Sequence, residues 1–342
     1  MALFNTDSLR APLTKDELTT LKRRRRDGEF GPVQNELFAM AIFVAVAFFA
    51  ILFTLGNLSR ISRSGTSIPF LVPMVVLIVL LGSLVYRRFG SDSHAAWAKI
   101  ARFAEANGLS YRHRSTNPSY PGLIFGLGSD RASHHHVLGS TGAFADAGRY
   151  TYVTGSGKNR STHTWHFAAF RLPRPMPHLL LDAKSNNMLG SNLPISLRRD
   201  QRVSLGSPFD DHYTLYAPNS YESDAFFLFP PNVMEALLDA TSDYDIEIVD
   251  DWMLLYTRSH QDLADPRTWE LFETIDESVV DGLSRVSQRY TDRRAQASSA
   301  TPGEPARAIA AEGQRLARSP MKVLVSMGVM VGVWLLMRFV IF

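Results

Sequence analysis

Residues 149–172 read RYTYVTGSGKNRSTHTWHFAAFRL, and this stretch carries the clearest local fold signal in the chain. Its two arms, residues 149–154 and 162–172, are rich in the aromatic and β-branched residues that favour strands. Between them, GSGKN at 155–159 has the glycines that favour a tight turn. The stretch therefore predicts a β-hairpin. Its second arm is expected to end at three prolines, before a further strand near residues 179–181: Pro173, Pro175 and Pro177.

The residues around this hairpin predict a module of mixed helices and strands over residues 91–294. A helix containing Trp97 and Ile100 opens it, and a longer helix is predicted over residues 266–289. Between them we predict an apolar strand at 224–229, a helix at 232–240, and a second hairpin at 244–256 with its bend at Asp250-Asp251. This order of elements favours an α+β domain with a mostly antiparallel sheet.

Three apolar runs outside this module predict membrane-spanning helices, because a crossing needs roughly 20 apolar residues. We place the spans at residues 36–58, 68–88 and 320–342, with an external loop at 59–67 and a flexible linker at 295–319. A helix buried in a protein core is the alternative for each run. In the third run, Gly328 and Gly332 have the spacing of a helix-packing motif. The predicted fold class is a membrane protein with three transmembrane helices and a cytoplasmic α+β domain.

The N-terminal segment, residues 1–35, is basic and is expected in the cytoplasm. Thr14 and Glu17 have the spacing of a capping box, which predicts a short amphipathic helix. The cluster expected to contact anionic lipid headgroups at the membrane surface is Lys22, Arg23, Arg24, Arg25 and Arg26. It lacks the interleaved aromatics of a nucleic-acid site, so no nucleic-acid partner is expected. Basic residues beside the spans predict a multi-pass membrane protein with its main domain in the cytoplasm.

Charge is distributed unevenly along the 342 residues, although the net charge is only +3. Residues 209–281 hold 18 acidic and two basic side chains, a net −16, which leaves +19 for the remainder. The acidic part is expected to face away from anionic lipid and to be offered to a protein partner or a second copy of the chain. The chain has no cysteine, which excludes a disulfide scaffold, a thiolate metal site and a cysteine nucleophile.

Several short stretches of the module are similar to an uncharacterised bacterial membrane-protein family, catalogued as a domain of unknown function. They are SPFD at 207–210, YTLY at 213–216, FLFP at 227–230, VM at 233–234, LL at 237–238 and LY at 255–256, together with FA at 103–104, NGL at 107–109 and Tyr111. The resemblance implies a protein of the bacterial plasma membrane, with two N-terminal spans before a cytoplasmic α+β module. It implies no catalytic residues.

Histidines are the most conspicuous candidate ligands, since seven of the ten fall between His113 and His178. In a regular strand His134 and His136 would share one face, and with His163 and His166 they are weak candidates for a metal site. Solvated or core histidines are the alternative. The turn at 155–158 lacks the spacing of a phosphate-binding loop, and no catalytic motif is present, so no cofactor is expected.

These observations predict a membrane-tethered module for protein interaction or assembly, without enzymatic activity. One alternative is an enzyme, or a ligand or metal sensor, with a histidine-containing pocket in the module. A second alternative is a component of an oligomeric transporter.

Overall fold

A computed structural model describes residues 3–31, 91–187, 191–298 and 308–319 of the chain. Seven strands form one antiparallel sheet, in the order β1-β2-β3-β4-β6-β5, with β7 pairing β4 along its other edge. The strands are β1 (Ser110–Thr116), β2 (Ser129–Leu138), β3 (Phe144–Thr154), β4 (Ser161–Ala183), β5 (Arg202–Val203), β6 (Tyr213–Tyr216) and β7 (Asp245–Thr257). This confirms the predicted α+β character and the hairpin of β3 and β4.

Nine α-helices accompany the sheet in the described part of the chain. They are α1 (Asp7–Arg10), α2 (Lys15–Arg26), α3 (Ser91–Ala106), α4 (Phe209–His212), α5 (Glu222–Leu228), α6 (Pro231–Thr241), α7 (Pro266–Thr274), α8 (Asp281–Arg289) and α9 (Arg293–Ser298). A π-helical segment, Ile275–Val280, joins α7 to α8, so the long helix predicted over 266–289 is present with a local widening.

The membrane-protein fold class and the multi-pass plasma-membrane localisation are corrected. No helix among the described residues is long and apolar enough to cross a membrane. The longest of them, α3, has 16 residues and carries Lys99, Arg102 and Glu105, whereas a crossing needs roughly 20 apolar residues. The predicted spans at 36–58, 68–88 and 320–342, the loop at 59–67, and Gly328 and Gly332 lie outside the described residues.

Strands β4 and β7 are longer than predicted. The prolines at 173, 175 and 177 do not end β4, because the pairing with β7 is irregular between Arg171 and Leu179 and leaves room for residues without an N–H. Asp250 pairs with Met176 in this irregular stretch and has a φ of 54°, so it kinks one continuous strand. The predicted hairpin at 244–256 was wrong for this reason.

The predicted strand at 224–229 is also wrong, since Glu222–Leu228 is helix α5. Ala225 and Leu228, three residues apart, are buried on one side of this helix. Phe226 and Phe227 stay exposed, at 58% and 50%. A continuous apolar run does not by itself distinguish a short buried strand from a helix that leaves part of its apolar surface in solvent.

The sheet has two covered faces, which we call the helical face and the loop face. The helical face packs against α3 and α5–α8 through a core that includes Phe103, Phe170 and Trp269. The loop face buries Tyr150, Trp165 and other side chains beneath irregular segments, among them residues 120–127 and 193–197.

Residues 308–319 belong to the predicted flexible linker. We call them the strap. Ile309 packs in the core of the helical face, and Leu316 packs in the core of the loop face. The Leu316 amide donates to Nδ1 of His178 at 3.1 Å, and Nε2 of this buried ring lies 2.7 Å from the Glu247 carboxylate. Gln201 contacts both polar backbone groups of Ala317 at 2.8 Å. The strap is therefore held by specific polar contacts to the sheet.

The N-terminal helices pack against α3. The predicted capping box is present, because Glu17 N donates to Thr14 Oγ1 at 3.2 Å and Thr14 N donates to the Glu17 carboxylate at 2.8 Å. Arg24 pairs with Glu29 and Glu105, and Arg25 lies over the Trp97 ring. These two arginines of the basic cluster thus serve intramolecular contacts. The cluster's other three members are exposed: Lys22, Arg23 and Arg26.

Candidate functional site: a cavity lined by histidines

A β-bulge in β2 determines which histidines face the helical side of the sheet. The pairing between β2 and β3 shifts register between His134 and Val137, and His135 has a φ of 46°. An extra residue in a bulge breaks the alternation of side chains along a strand. As a result, His134 and His135 both line a cavity on the helical face. His136 lies on the loop face, where it contacts Asp146.

Three adjacent strands place a row of polar side chains beneath this cavity. His134 on β2 pairs with Arg149 on β3, and Arg149 pairs with His166 on β4. Directly paired residues of antiparallel strands project to the same face, so the three side chains form a continuous line across the sheet. We call His134, Arg149 and His166 the polar row.

The opposite wall of the cavity is apolar. Trp97 and Ile100 on α3 and Leu263 before α7 lie over the polar row and enclose a volume of about 200 Å³. His260 and Asp262 stand at the exposed entrance. The buried Trp97 Nε1 has no hydrogen-bond partner among the described residues. A buried N–H without a partner costs stability, and this one is inaccessible to solvent.

Hydrogen bonds fix the orientation of the two neighbouring rings. His134 Nε2 lies 2.9 Å from Thr151 Oγ1, and His135 Nδ1 lies 2.7 Å from the Tyr111 hydroxyl. The His113 ring meets the His135 ring edge-on, with the ring centroids 4.4 Å apart. The cavity wall is thus built from side chains with defined rotamers, which is the usual requirement for a selective site.

Burial keeps three of the lining histidines neutral at physiological pH. Desolvation lowers the pKa of His134 to about 4, with Arg149 the next contributor. Desolvation and then His113 lower the pKa of His135 to about 3. For His166, desolvation and then His260 lower the pKa to about 4. Each neutral imidazole offers one donor and one acceptor, so the fixed positive charge of the row comes from Arg149.

The four histidines predicted as metal candidates do not converge. His134 and His166 line the cavity, while His136 is on the loop face. His163 stacks on Tyr152 and contacts Thr154. Within the described ranges no group of three His, Asp or Glu side chains could hold a metal ion.

Sequence reasoning missed two of the cavity histidines and its apolar wall. The run of three histidines signalled a cluster, but a regular strand would send His135 to the face opposite His134. His260 follows β7 and reaches the cavity because β7 pairs with β4, where its ring lies 5.4 Å from that of His166. No local pattern joins residues this far apart in sequence.

Comparisons with known proteins give little help. No family model and no curated protein matches the chain. A solved structure with a distant likeness is described as the crystal structure of the mycobacterial trehalose monomycolate transport factor A, TtfA. Its TM-score is 0.36 at 11% identity, covering 56% of this chain and 93% of that one. A likeness this weak carries no functional argument, and the resemblance to the uncharacterised membrane-protein family stays a prediction.

Proposed function

We propose that this protein is a small-molecule-binding module whose histidine-lined cavity holds a compact ligand with an apolar body and an anionic group. The observation that supports this best is the polar row facing the apolar wall of Trp97, Ile100 and Leu263. A cavity wall that is mostly apolar, with a few polar groups directed at one place, is typical of small-molecule sites.

The apolar wall favours a flat or short hydrophobic body. Trp97 and Ile100 lie three residues apart near the middle of α3, and both are buried and line the cavity. A volume of about 200 Å³ suits a single ring or a short chain.

The polar row favours an anionic group. Arg149 is exposed at the cavity and carries a permanent positive charge, while the buried imidazoles on either side add neutral donors. Asp262, the acidic residue among the described lining residues, stands at the exposed entrance, where solvent screens its charge and its Oδ1 accepts from the Ala264 amide at 2.8 Å. A bound carboxylate or phosphate would therefore meet one guanidinium and several N–H donors.

Binding of benzoate, followed by calorimetry and by NMR shifts of the histidine rings, tests the proposal. Benzyl alcohol, which has the same ring and no charge, is the matched probe. We expect Arg149→Met to weaken benzoate binding by roughly tenfold and to leave benzyl alcohol nearly unaffected, since a charge-assisted hydrogen bond is lost. Ile100→Trp should block both probes by filling the cavity.

His163→Gln serves as the control, because His163 lies outside the cavity. Absence of saturable benzoate binding at millimolar concentration would contradict the proposal. Equal binding by the wild type and Ile100→Trp would also contradict it, since the probe would then bind elsewhere.

A second candidate function, a protein-interaction surface, is supported by the exposed Phe226 and Phe227 of α5. Phe227 lies beside Arg289 and Arg293 in a cleft of about 700 Å³. We infer that a second copy of the chain docks here, since its strongly acidic stretch at 209–281 complements these arginines. Sedimentation velocity should show self-association that the double variant Phe226→Ser/Phe227→Ser reduces. A monomer at every concentration would refute this second candidate.

The transporter alternative depended on the predicted spans and is not carried forward.

A further inference from the structure

A serine, a histidine and an aspartate form a hydrogen-bonded chain on the loop face. Ser115 Oγ on β1 lies 2.8 Å from Nε2 of His136 on β2. Nδ1 of the same ring lies 3.0 Å from both carboxylate oxygens of Asp146 on β3. Three adjacent strands thus bring together residues that are 21 and 10 positions apart.

The two partners of His136 define its protonation pattern. The Asp146 carboxylate can only accept, so Nδ1 carries the proton and donates. Nε2 is then left to accept from the Ser115 hydroxyl. This is the arrangement in which a histidine acts as a general base toward a serine nucleophile, with the aspartate orienting the ring.

Exposure to solvent increases along this hydrogen-bonded chain from Asp146 through His136 to Ser115. His136 and Asp146 are 3% and 1% exposed, whereas Ser115 at the edge strand is partly exposed. The Tyr120 hydroxyl donates to Asp146 Oδ2 at 2.6 Å and holds the carboxylate in place. The reactive oxygen is therefore the member of the chain that a solvent-borne substrate can reach.

Two neighbouring residues complete the surroundings of Ser115 and His136. Ser133 is the cross-strand partner of Ser115, and its buried hydroxyl has no hydrogen-bond partner among the described residues. The two side chains project to the same face of the sheet. Gly148 leaves room for the histidine, because a Cβ at this position would lie 2.4 Å from the His136 Cβ.

We propose that Ser115 is the nucleophile of an esterase site, with His136 as general base and Asp146 as a positioning residue. Ser115 Oγ attacks the ester carbonyl carbon while its proton passes to His136 Nε2. The tetrahedral intermediate collapses, the bond to the alcohol oxygen breaks, and Nε2 protonates the departing alcohol. Water then attacks the acyl-serine and gives a proton to Nε2. Collapse of this second intermediate returns the proton to Ser115 Oγ and releases the carboxylic acid.

The adjoining cavity indicates the substrate class. Tyr120 and Asn117 belong to a cavity of about 380 Å³ that also contains Phe125 and Arg131. Arg315 and Arg318 reach it from the strap, and Arg315 is paired with the Asp250 carboxylate at 2.9 and 3.0 Å. No Asp or Glu is among the described residues that line the cavity, so Arg131 and Arg318 supply its positive charge. We therefore assign small carboxylic esters that carry a second, anionic group.

Labelling of the full-length protein with a fluorophosphonate probe tests the nucleophile. Mass spectrometry should place the adduct on Ser115, and Ser115→Ala should abolish it. Ser110→Ala, on the same strand and also exposed, is the matched control and should label normally. His136→Gln should slow labelling by at least about 100-fold, the usual contribution of a general base. Circular dichroism and the Tm verify that each variant is folded.

Hydrolysis of p-nitrophenyl acetate and of the mono-p-nitrophenyl ester of succinate tests the substrate class. We expect the anionic ester to be preferred severalfold in kcat/KM, and Arg131→Met to reduce that preference. Lys158→Met, which removes an exposed positive charge in the turn between β3 and β4, is the matched control and should leave both rates unchanged. Absence of Ser115 labelling in folded protein would overturn the nucleophile, and equal rates for the two esters would overturn the assigned substrate class.

Discussion

His134 and His136 are two residues apart on one strand, yet their side chains lie on opposite faces of the sheet. His134 contacts Thr151 beside the histidine-lined cavity, and His136 contacts Asp146 and Ser115 on the loop face. The cause is His135, whose left-handed backbone forms the bulge between them. The bulge at this one residue therefore places His134 in one proposed site and His136 in the other.

The bulge makes position 135 sensitive to backbone preference. A β-branched residue is strained at a φ of 46°, whereas glycine is not. We expect His135→Val to be less stable than His135→Gly by about 1–3 kcal/mol, measured by urea unfolding. Both substitutions remove the contact with Tyr111, so the difference between their unfolding free energies reports the backbone strain at position 135. Equal unfolding midpoints would show that the bulge does not constrain this residue.

The buried His166 should make stability depend on pH. Its pKa is lowered from 6.5 to about 4 in the folded protein, chiefly by desolvation and next by His260. Between these values the unfolded chain binds a proton that the folded chain does not, so stability falls as pH decreases from 6.5 toward 4. His166→Gln has no group that titrates at this position. The difference in unfolding free energy between the wild type and the variant, measured by urea titration, should therefore shrink as the pH falls from 6.5 toward 4. A difference that does not change with pH would contradict the lowered pKa.

Asp245 should have the opposite effect at higher pH. Desolvation raises its pKa from 3.8 to about 7. The folded protein then holds a proton that the unfolded chain releases between these values, so stability falls as pH rises toward 7. Oδ1 accepts from the Ala183 amide at 2.9 Å and from Asn186 Nδ2 at 3.2 Å, and Oδ2 has no hydrogen-bond partner among the described residues, so asparagine can keep the accepted bonds. Asp245→Asn should gain stability relative to the wild type between pH 5 and pH 8. A constant difference in unfolding midpoint would refute this.

Gly148 should be intolerant of a side chain. A methyl group there would meet the His136 Cβ at 2.4 Å, so the strand or the ring must shift. We expect Gly148→Ala to lower stability by about 1–3 kcal/mol, as overpacking does, and to reduce fluorophosphonate labelling. Gly126→Ala is the control, since no atom lies within 4 Å of a Cβ built there. Normal labelling of Gly148→Ala would show that the proposed esterase site does not need a glycine at this position.

Local features of the fold were predictable from sequence, and features set by partner strands were not. The β3–β4 hairpin and the cap at Thr14 follow from residues close in the chain. The continuation of β4 past its prolines depends on an irregular partner, β7, and the helical state of α5 depends on what covers Ala225 and Leu228. For the candidate sites, the histidine run was visible, but the bulge that divides it is defined only by pairing with β3.

The strap has a consequence for synthesis on the ribosome. The Leu316 amide bonds to His178, 138 positions earlier, and Ser319 bonds to Ser196. Until the strap emerges, the buried His178–Glu247 pair lacks the donor that fixes its imidazole, and Leu316 is missing from the core of the loop face. The sheet can assemble as its strands appear, but this face is completed only by the last described residues, so it matures after translation has passed the rest of the domain.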